Sequence, residues 1–216
     1  MKKQTKCIIL FLEFQKRKDR WNMTEKLLNK KLCLGWLIAA FCYGCVLPFC
    51  WENNPLDPFG TLSLLCEDHK LFFWLWVLLC AGANVLNINY MYKKYGFKNK
   101  GLTAVTVLAF LAACGIAATL GHPVDSWNPK RVIHWVVTGV YVVFLAVAIG
   151  FFGLLNAKKN KRYLAVFFGV IAIVIIFVAW LLIIGKSAVH EMVSYALLQI
   201  MLFLLNFTNV FKLQSL

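Results

Sequence analysis

The residues able to do chemistry gather in and around Gly121–Tyr141. A short polar turn there, holding His122 and Asp125, runs straight into an apolar stretch opened by Arg131-Val-Ile-His134. His69 and His190, the other two of the four histidines, also sit where a polar segment enters an apolar run, and Glu191 follows His190 directly. Imidazole accepts a proton near neutral pH, a neighbouring carboxylate orients it, and arginine takes a phosphate or carboxylate headgroup. His134, Glu191, His190 and Asp125 are therefore the candidates for acid–base work. Arg131, His69, Tyr141, Tyr195 and Gln199 are the candidates for holding a ligand. There is no His-Glu-x-x-His and no nucleophile elbow, so no hydrolase signature is present. Zinc ligation by the histidines is a lesser alternative; no metal or cofactor is expected. The plain alternative is a set of ionisable residues resting at a membrane edge.

Composition decides what kind of element must position these residues. The chain has 216 residues, 61% hydrophobic and 15% charged, with mean hydropathy +0.71. That leaves too little polar surface for a soluble domain. Six apolar runs stand out, approximately Leu32–Cys50, Leu71–Tyr92, Leu102–Gly121, Val132–Leu155, Tyr163–Gly185 and Val189–Phe211. Each can cross about 30 Å of hydrocarbon at about 1.5 Å per helical residue. Their continuity excludes barrel strands, so the expected fold is all-α: a polytopic bundle of six transmembrane helices over residues 32–212. A basic tail, residues 1–31, precedes it. The apolar run Cys7–Leu12 in that tail is too short to span, and no small-residue cleavage site follows it. The tail is expected to lie along anionic lipid, and a start of translation at Met23 is an alternative reading.

The net charge of +14 falls in clusters between the apolar runs. Lys93, Lys94, Lys98 and Lys100, then Lys158, Lys159, Lys161 and Arg162, share one side with the tail. The positive-inside rule makes that side, with both termini, cytoplasmic, and the protein a multi-pass protein of the cell membrane. A nucleic-acid partner would require a continuous basic face, which this pattern excludes. Every histidine falls on the outer side, together with Glu52, Asp57, Glu67, Asp68, Asp125 and Glu191. Trp51, Trp74, Trp76, Trp127 and Trp135 lie near the outer ends of spans, where an interfacial aromatic belt belongs.

Spacing indicates which faces turn inward. His134, Thr138 and Tyr141 share one helix face; so do Glu191, Tyr195 and Gln199, continued loosely by Asn206; so do Cys80, Asn84 and Asn87. Lipid offers such stripes no hydrogen-bond partner, so they should face one another. The expectation is that the outer ends of the second, fourth and sixth spans converge on a shared polar pocket. His134 and Glu191 should lie there within about one bridging water of each other. The asparagines nearer the inner ends are read as interhelical hydrogen bonds worth about 0.6 kcal/mol each.

Of the eight cysteines, Cys42-Tyr-Gly-Cys45 has redox spacing. Cys50 and Cys66 flank the first outer loop and should be close enough to bridge if that side is oxidising. These features bear a distant similarity to the quinone-linked disulfide-forming membrane oxidoreductases. Those proteins have a second cysteine pair in an outer loop, and this chain has none between Gly121 and Lys130.

The order of features also resembles the DRAM/Frag-like six-span membrane proteins and their bacterial relatives. The carrying residues are the loop Asn54-Pro-Leu-Asp-Pro-Phe-Gly-Thr61, the helix head Arg131-Val-Ile-His134, and a last span from His190-Glu191-Met to Asn206-Phe-Thr-Asn-Val-Phe-Lys. Pro58 departs from that family's loop pattern. The resemblance implies a lipid-handling or lipid-sensing role, with membrane lipid as partner. Lipid-headgroup sensing or lipid modification at the outer pocket is thus the leading expectation. A structural or regulatory partner without a site, a thiol–disulfide oxidoreductase and a small transporter are the alternatives.

Overall fold

The computed structural model describes residues 29–50, 54–56, 60–120, 129–185 and 187–211. The basic tail before Asn29 and the site candidate Asp125 lie outside the described residues, as do His122, Trp51 and Trp127. Among the described residues the chain is helical, with no strand. Six helices are long and apolar enough to cross a membrane: α1 (Asn29–Phe49), α3 (Lys70–Lys94), α4 (Lys100–Ala118), α5 (Pro129–Asn156), α6 (Tyr163–Ile183) and α7 (Ala188–Phe207). A short helix, α2 (Leu62–Leu65), lies between the first two spans. Each expected span is matched by one observed helix, with ends displaced by a few residues. The protein is a multi-pass membrane protein.

The helix ends follow local chemistry. The Asn99 side chain accepts from the Leu102 N–H and starts α4; Ser187 does the same for α7 through the His190 N–H. Proline opens α5, where its missing N–H costs nothing. Gly96, at φ 59°, turns the chain from α3 into α4, and Gly185, at φ 96°, ends α6.

Packing follows chain order. α3 lies against α4, α4 against α5, α5 against α6 and α6 against α7, and α7 returns to close on α3. α1 sits outside this ring against α3, through Ala40 on Cys80 and Ala83. At the turn between α5 and α6 the backbones touch: a Cβ on Gly153 would stand 2.8 Å from the Tyr163 carbonyl oxygen. α6 is the most apolar span, with mean hydropathy 3.2 over its most apolar stretch, of which only 11% is buried inside the protein. It is the span most given over to lipid, which is why its sequence shows no polar stripe.

The lysine-rich end is tied together by buried polar groups. Lys94 Nζ donates to the carbonyls of Leu205 and Asn206, at 2.8 and 2.9 Å, and Tyr95 Oη donates to the Leu205 carbonyl at 2.7 Å. These carbonyls are the unsatisfied C-terminal end of α7, where a cation is favoured. Burial pushes the Tyr95 phenol up to about 12, so it stays a donor. Asn87 donates to the Cys33 carbonyl on α1, and Asn206 donates to Asn87. These are the interhelical bonds expected of the asparagines, and they hold α1, α3 and α7 together at one end.

Candidate functional site

The opposite end carries the candidate residues. The loop entering α3 folds back over α7 there. The Ala188 N–H donates to the Gly60 carbonyl at 2.7 Å and the Val189 N–H to the Pro55 carbonyl at 3.2 Å. The first loop therefore supplies acceptors for the N-terminal donors of α7, and Ser187 supplies another. The exchange is reciprocal: Glu191 Oε2 accepts from the Leu62 N–H at 2.9 Å, at the start of α2. That places a carboxylate on a helix N-terminus, its favoured position. Thr61 and Leu62 are buried by this docking.

Beneath α2 lies a cavity of about 170 Å³. It is bounded by α3, α4, α5, α6 and α7, with Ser63 of α2 at its edge. Its polar residues are His134, Thr138 and Tyr141 on α5, and Glu191, Ser194 and Tyr195 on α7. Most of the remaining wall is apolar, including Phe73 and Val77 on α3 and Ile173 and Phe177 on α6. The two inward stripes read from the sequence thus meet at one cavity. Below it, Asn84 donates to Tyr141 Oη at 2.7 Å, and Gln199 donates to Asn84 Oδ1 at 2.7 Å and to Tyr195 Oη at 2.6 Å. This network of α3, α5 and α7 side chains closes the cavity floor and fixes the two tyrosines.

His134 is buried, 9% exposed, and its Nδ1 lies 3.1 Å from Thr119 Oγ1. The Thr119 hydroxyl already donates to the Gly115 carbonyl at 2.7 Å. With that proton given to the Gly115 carbonyl, the hydroxyl accepts from an imidazole N–H at Nδ1.

Several sequence candidates are corrected by their placement. At Nδ1 the imidazole of His134 meets the Thr119 hydroxyl, and Glu191 Oε2 holds the start of α2. His190 does not join the cavity wall. It follows Val189 on the face turned to α6, where Nε2 donates to the Phe177 carbonyl at 3.0 Å and the ring stacks on Phe177 at 4.5 Å. One residue of helix turns a side chain by about 100°, enough to separate His190 from Glu191. His69 is exposed at the N-terminus of α3, its ring edge against Phe72. The Arg131 guanidinium lies over the Trp135 ring at 4.7 Å, and neither residue lines the cavity. Gln199 acts one layer below it. Trp74 and Trp135 are exposed as a belt requires, whereas Trp76 turns inward against Phe73 and Tyr195.

Every cysteine among the described residues carries a free thiol, so the possible Cys50–Cys66 bridge is not formed. Cys66 is buried at the end of α2, and burial pushes its thiol up to about 12, with Cys50 and Glu191 adding to the rise. Cys42 is exposed and Cys45 half-buried on α1, and neither lines the cavity. No group of three or more metal-ligating side chains is gathered among the described residues.

Sequence reasoning missed α2, Thr119 and Ser63. Their roles depend on backbone groups and on a loop fold, and the local signal was only a threonine preceding a leucine-rich quartet at Thr61-Leu-Ser-Leu-Leu65. No family model, curated protein or solved structure matches the chain, so the site stands on its own geometry.

Proposed function

We propose that the protein binds a membrane-partitioned amphiphile, with the polar end of the ligand beside His134 and Glu191 and its apolar part in the cavity. The observation that supports this reading is the cavity itself: one space between five helices, apolar over most of its wall and polar on one arc. Small-molecule sites have that composition. Its volume of about 170 Å³ is near the roughly 150 Å³ apolar cavity that takes up benzene. It suits a ring or a short segment of chain. The resemblance to DRAM/Frag-like proteins points to lipid handling as well. Sensing the ligand requires only that α2, which is latched to Glu191, move when the cavity fills. Modifying it would use His134 as proton acceptor. The lysine-rich end faces the cytoplasm in this reading, and the cavity opens at the outer leaflet of the cell membrane.

Ala146→Phe tests the proposal, because Ala146 lines the cavity on α5 and a phenyl group there takes the ligand's place. Protein extracted in mild detergent is examined by mass spectrometry for retained amphiphile. The wild type should carry one and the variant should not, at matched expression and helicity. Equal retention by the two proteins overturns the reading.

A further inference from the structure

We infer that the lysine-rich end of the bundle is a docking surface for an anionic phospholipid, seated where the start of α4 meets the turn between α5 and α6. The surface lies at the opposite end from the cavity and does not depend on the amphiphile reading. One buried ring builds it. Phe97, in the loop before α4, packs edge-on to Phe152 of α5 at 5.3 Å. Tyr163, at the start of α6, packs edge-on to the same ring at 5.6 Å. Phe152 itself is fully buried. Two segments far apart in sequence are therefore held side by side. The loop brings exposed Lys98 and Lys100 to this surface, and the turn brings exposed Lys158, Lys159 and Lys161.

Among the described residues no carboxylate offsets this charge. Glu67, Asp68 and Glu191, the acidic residues described, belong to the starts of α3 and α7 at the other end, and none of the five lysines forms an ion pair. Residues 1–28 carry more basic than acidic side chains, so they do not cancel the field. Lys98, Lys100 and Lys161 stand at the starts of α4 and α6, where the helix dipole disfavours a cation. Local helix chemistry therefore gives no reason for them. The neighbouring helix surface points to an anion carried on a lipid. Below Lys100, the exposed positions Ala104, Leu108 and Leu111 continue one face of α4. Below the turn, Phe151, Leu154 and Leu155 are exposed on α5. A phosphate headgroup on the lysines sets its acyl chains along these apolar faces, whereas a soluble phosphate gains the lysines alone. Each lysine near an anionic surface contributes about fivefold in binding.

The test holds the acyl chains constant and changes the head. Full-length protein in a nonionic detergent is titrated with phosphatidylglycerol and, separately, with phosphatidylcholine of the same chains. Bound lipid is followed by native mass spectrometry in ammonium acetate of set ionic strength. The wild type should bind phosphatidylglycerol about tenfold or more tighter than phosphatidylcholine. Raising the ionic strength from about 0.1 M to about 1 M shortens the reach of a charge from about 10 Å to about 3 Å, and should remove most of that preference. The triple change Lys158→Gln, Lys159→Gln and Lys161→Gln should bring the two lipids to within about threefold of each other. The double change Lys98→Gln and Lys100→Gln should weaken phosphatidylglycerol by about three- to tenfold and leave phosphatidylcholine unaltered. Lys70→Gln, at the other end, and Ala146→Phe, which fills the cavity, should keep the wild-type preference. Equal binding of the two lipids by the wild type, or a preference that survives both sets of lysine changes, would overturn the inference and leave the lysines to orientation alone. A preference lost in Ala146→Phe and kept in the lysine variants would place the lipid in the cavity and overturn it as well. Millimolar inorganic phosphate, added at matched ionic strength, should not displace phosphatidylglycerol; displacement would make this a soluble-anion site and overturn the lipid assignment.

Discussion

Removing the Glu191 carboxylate should free α2 without unfolding the bundle. In Glu191→Ala the Leu62 N–H loses an acceptor held at 2.9 Å. A hydrogen bond to a charged group is worth about 1.5–3 kcal/mol. Glu191 is only half-buried, so solvent screening favours the lower end of that range. At about 1.4 kcal/mol per tenfold, local opening of the 60–66 segment becomes about 10- to 100-fold more frequent. The effect stays local because the Gly60 and Pro55 carbonyls still hold the N–H groups of Ala188 and Val189. Glu191→Gln keeps an oxygen acceptor, and its loss should be about tenfold at most. Hydrogen exchange followed by mass spectrometry reads this directly. Peptides covering residues 60–70 should lose protection in the order Gln, then Ala, while peptides from α4 and from the lysine-rich end of α3 keep theirs. Unchanged protection in Glu191→Ala would refute the latch. Loss of protection throughout the bundle would show that Glu191 supports the whole fold instead.

Three further outcomes are expected. With its thiol raised to about 12, Cys66 should be alkylated at pH 8 on the order of a thousandfold more slowly than an ordinary thiol of pKa about 8.5, because the thiolate is the nucleophile. Its rate should climb with pH up to about 12; quantitative labelling in minutes at pH 8 would contradict this. Gly153→Ala places a methyl group 2.8 Å from the Tyr163 carbonyl oxygen; it should cost about 1–3 kcal/mol through forced separation of α5 and α6, seen as a lower thermal midpoint, while an unchanged midpoint would remove the close approach from the account. Single cysteines placed at positions 158–162 should be shielded from impermeant reagents in intact cells, whereas one at position 64 should be modified once α2 is freed by Glu191→Ala; labelling at 158–162 would reverse the orientation.

The spans were legible because continuous apolar runs of about 20 residues leave few alternatives in lipid. The inward faces were legible for a related reason. Polar residues at helical spacing cannot face hydrocarbon, and Tyr141, Tyr195 and Gln199 lie where their stripes placed them. Residue type alone did not give direction. His190 and Glu191 are adjacent in sequence, yet one stacks on α6 and the other holds α2. Arg131 opens α5 one turn before His134 but packs on Trp135. The docking of the first loop could not be read at all. Its contacts are the Gly60 and Pro55 carbonyls and the Leu62 N–H, and every residue carries such groups. The direction of the hydroxyl protons was hidden for the same reason, since Thr138, Ser194 and Thr119 give theirs to backbone carbonyls one turn earlier.

We have proposed that His134 and Glu191 frame a ligand site inside the bundle. A density map of the protein in lipid nanodiscs, resolved well enough to place side chains, tests it most directly. Non-protein density is expected within the space bounded by α3, α5 and α7, in contact with His134 and the Glu191 carboxylate and running against Phe73 and Phe177. A space filled by repacked side chains, with His134 turned to lipid and Leu62 separated from Glu191, would contradict it.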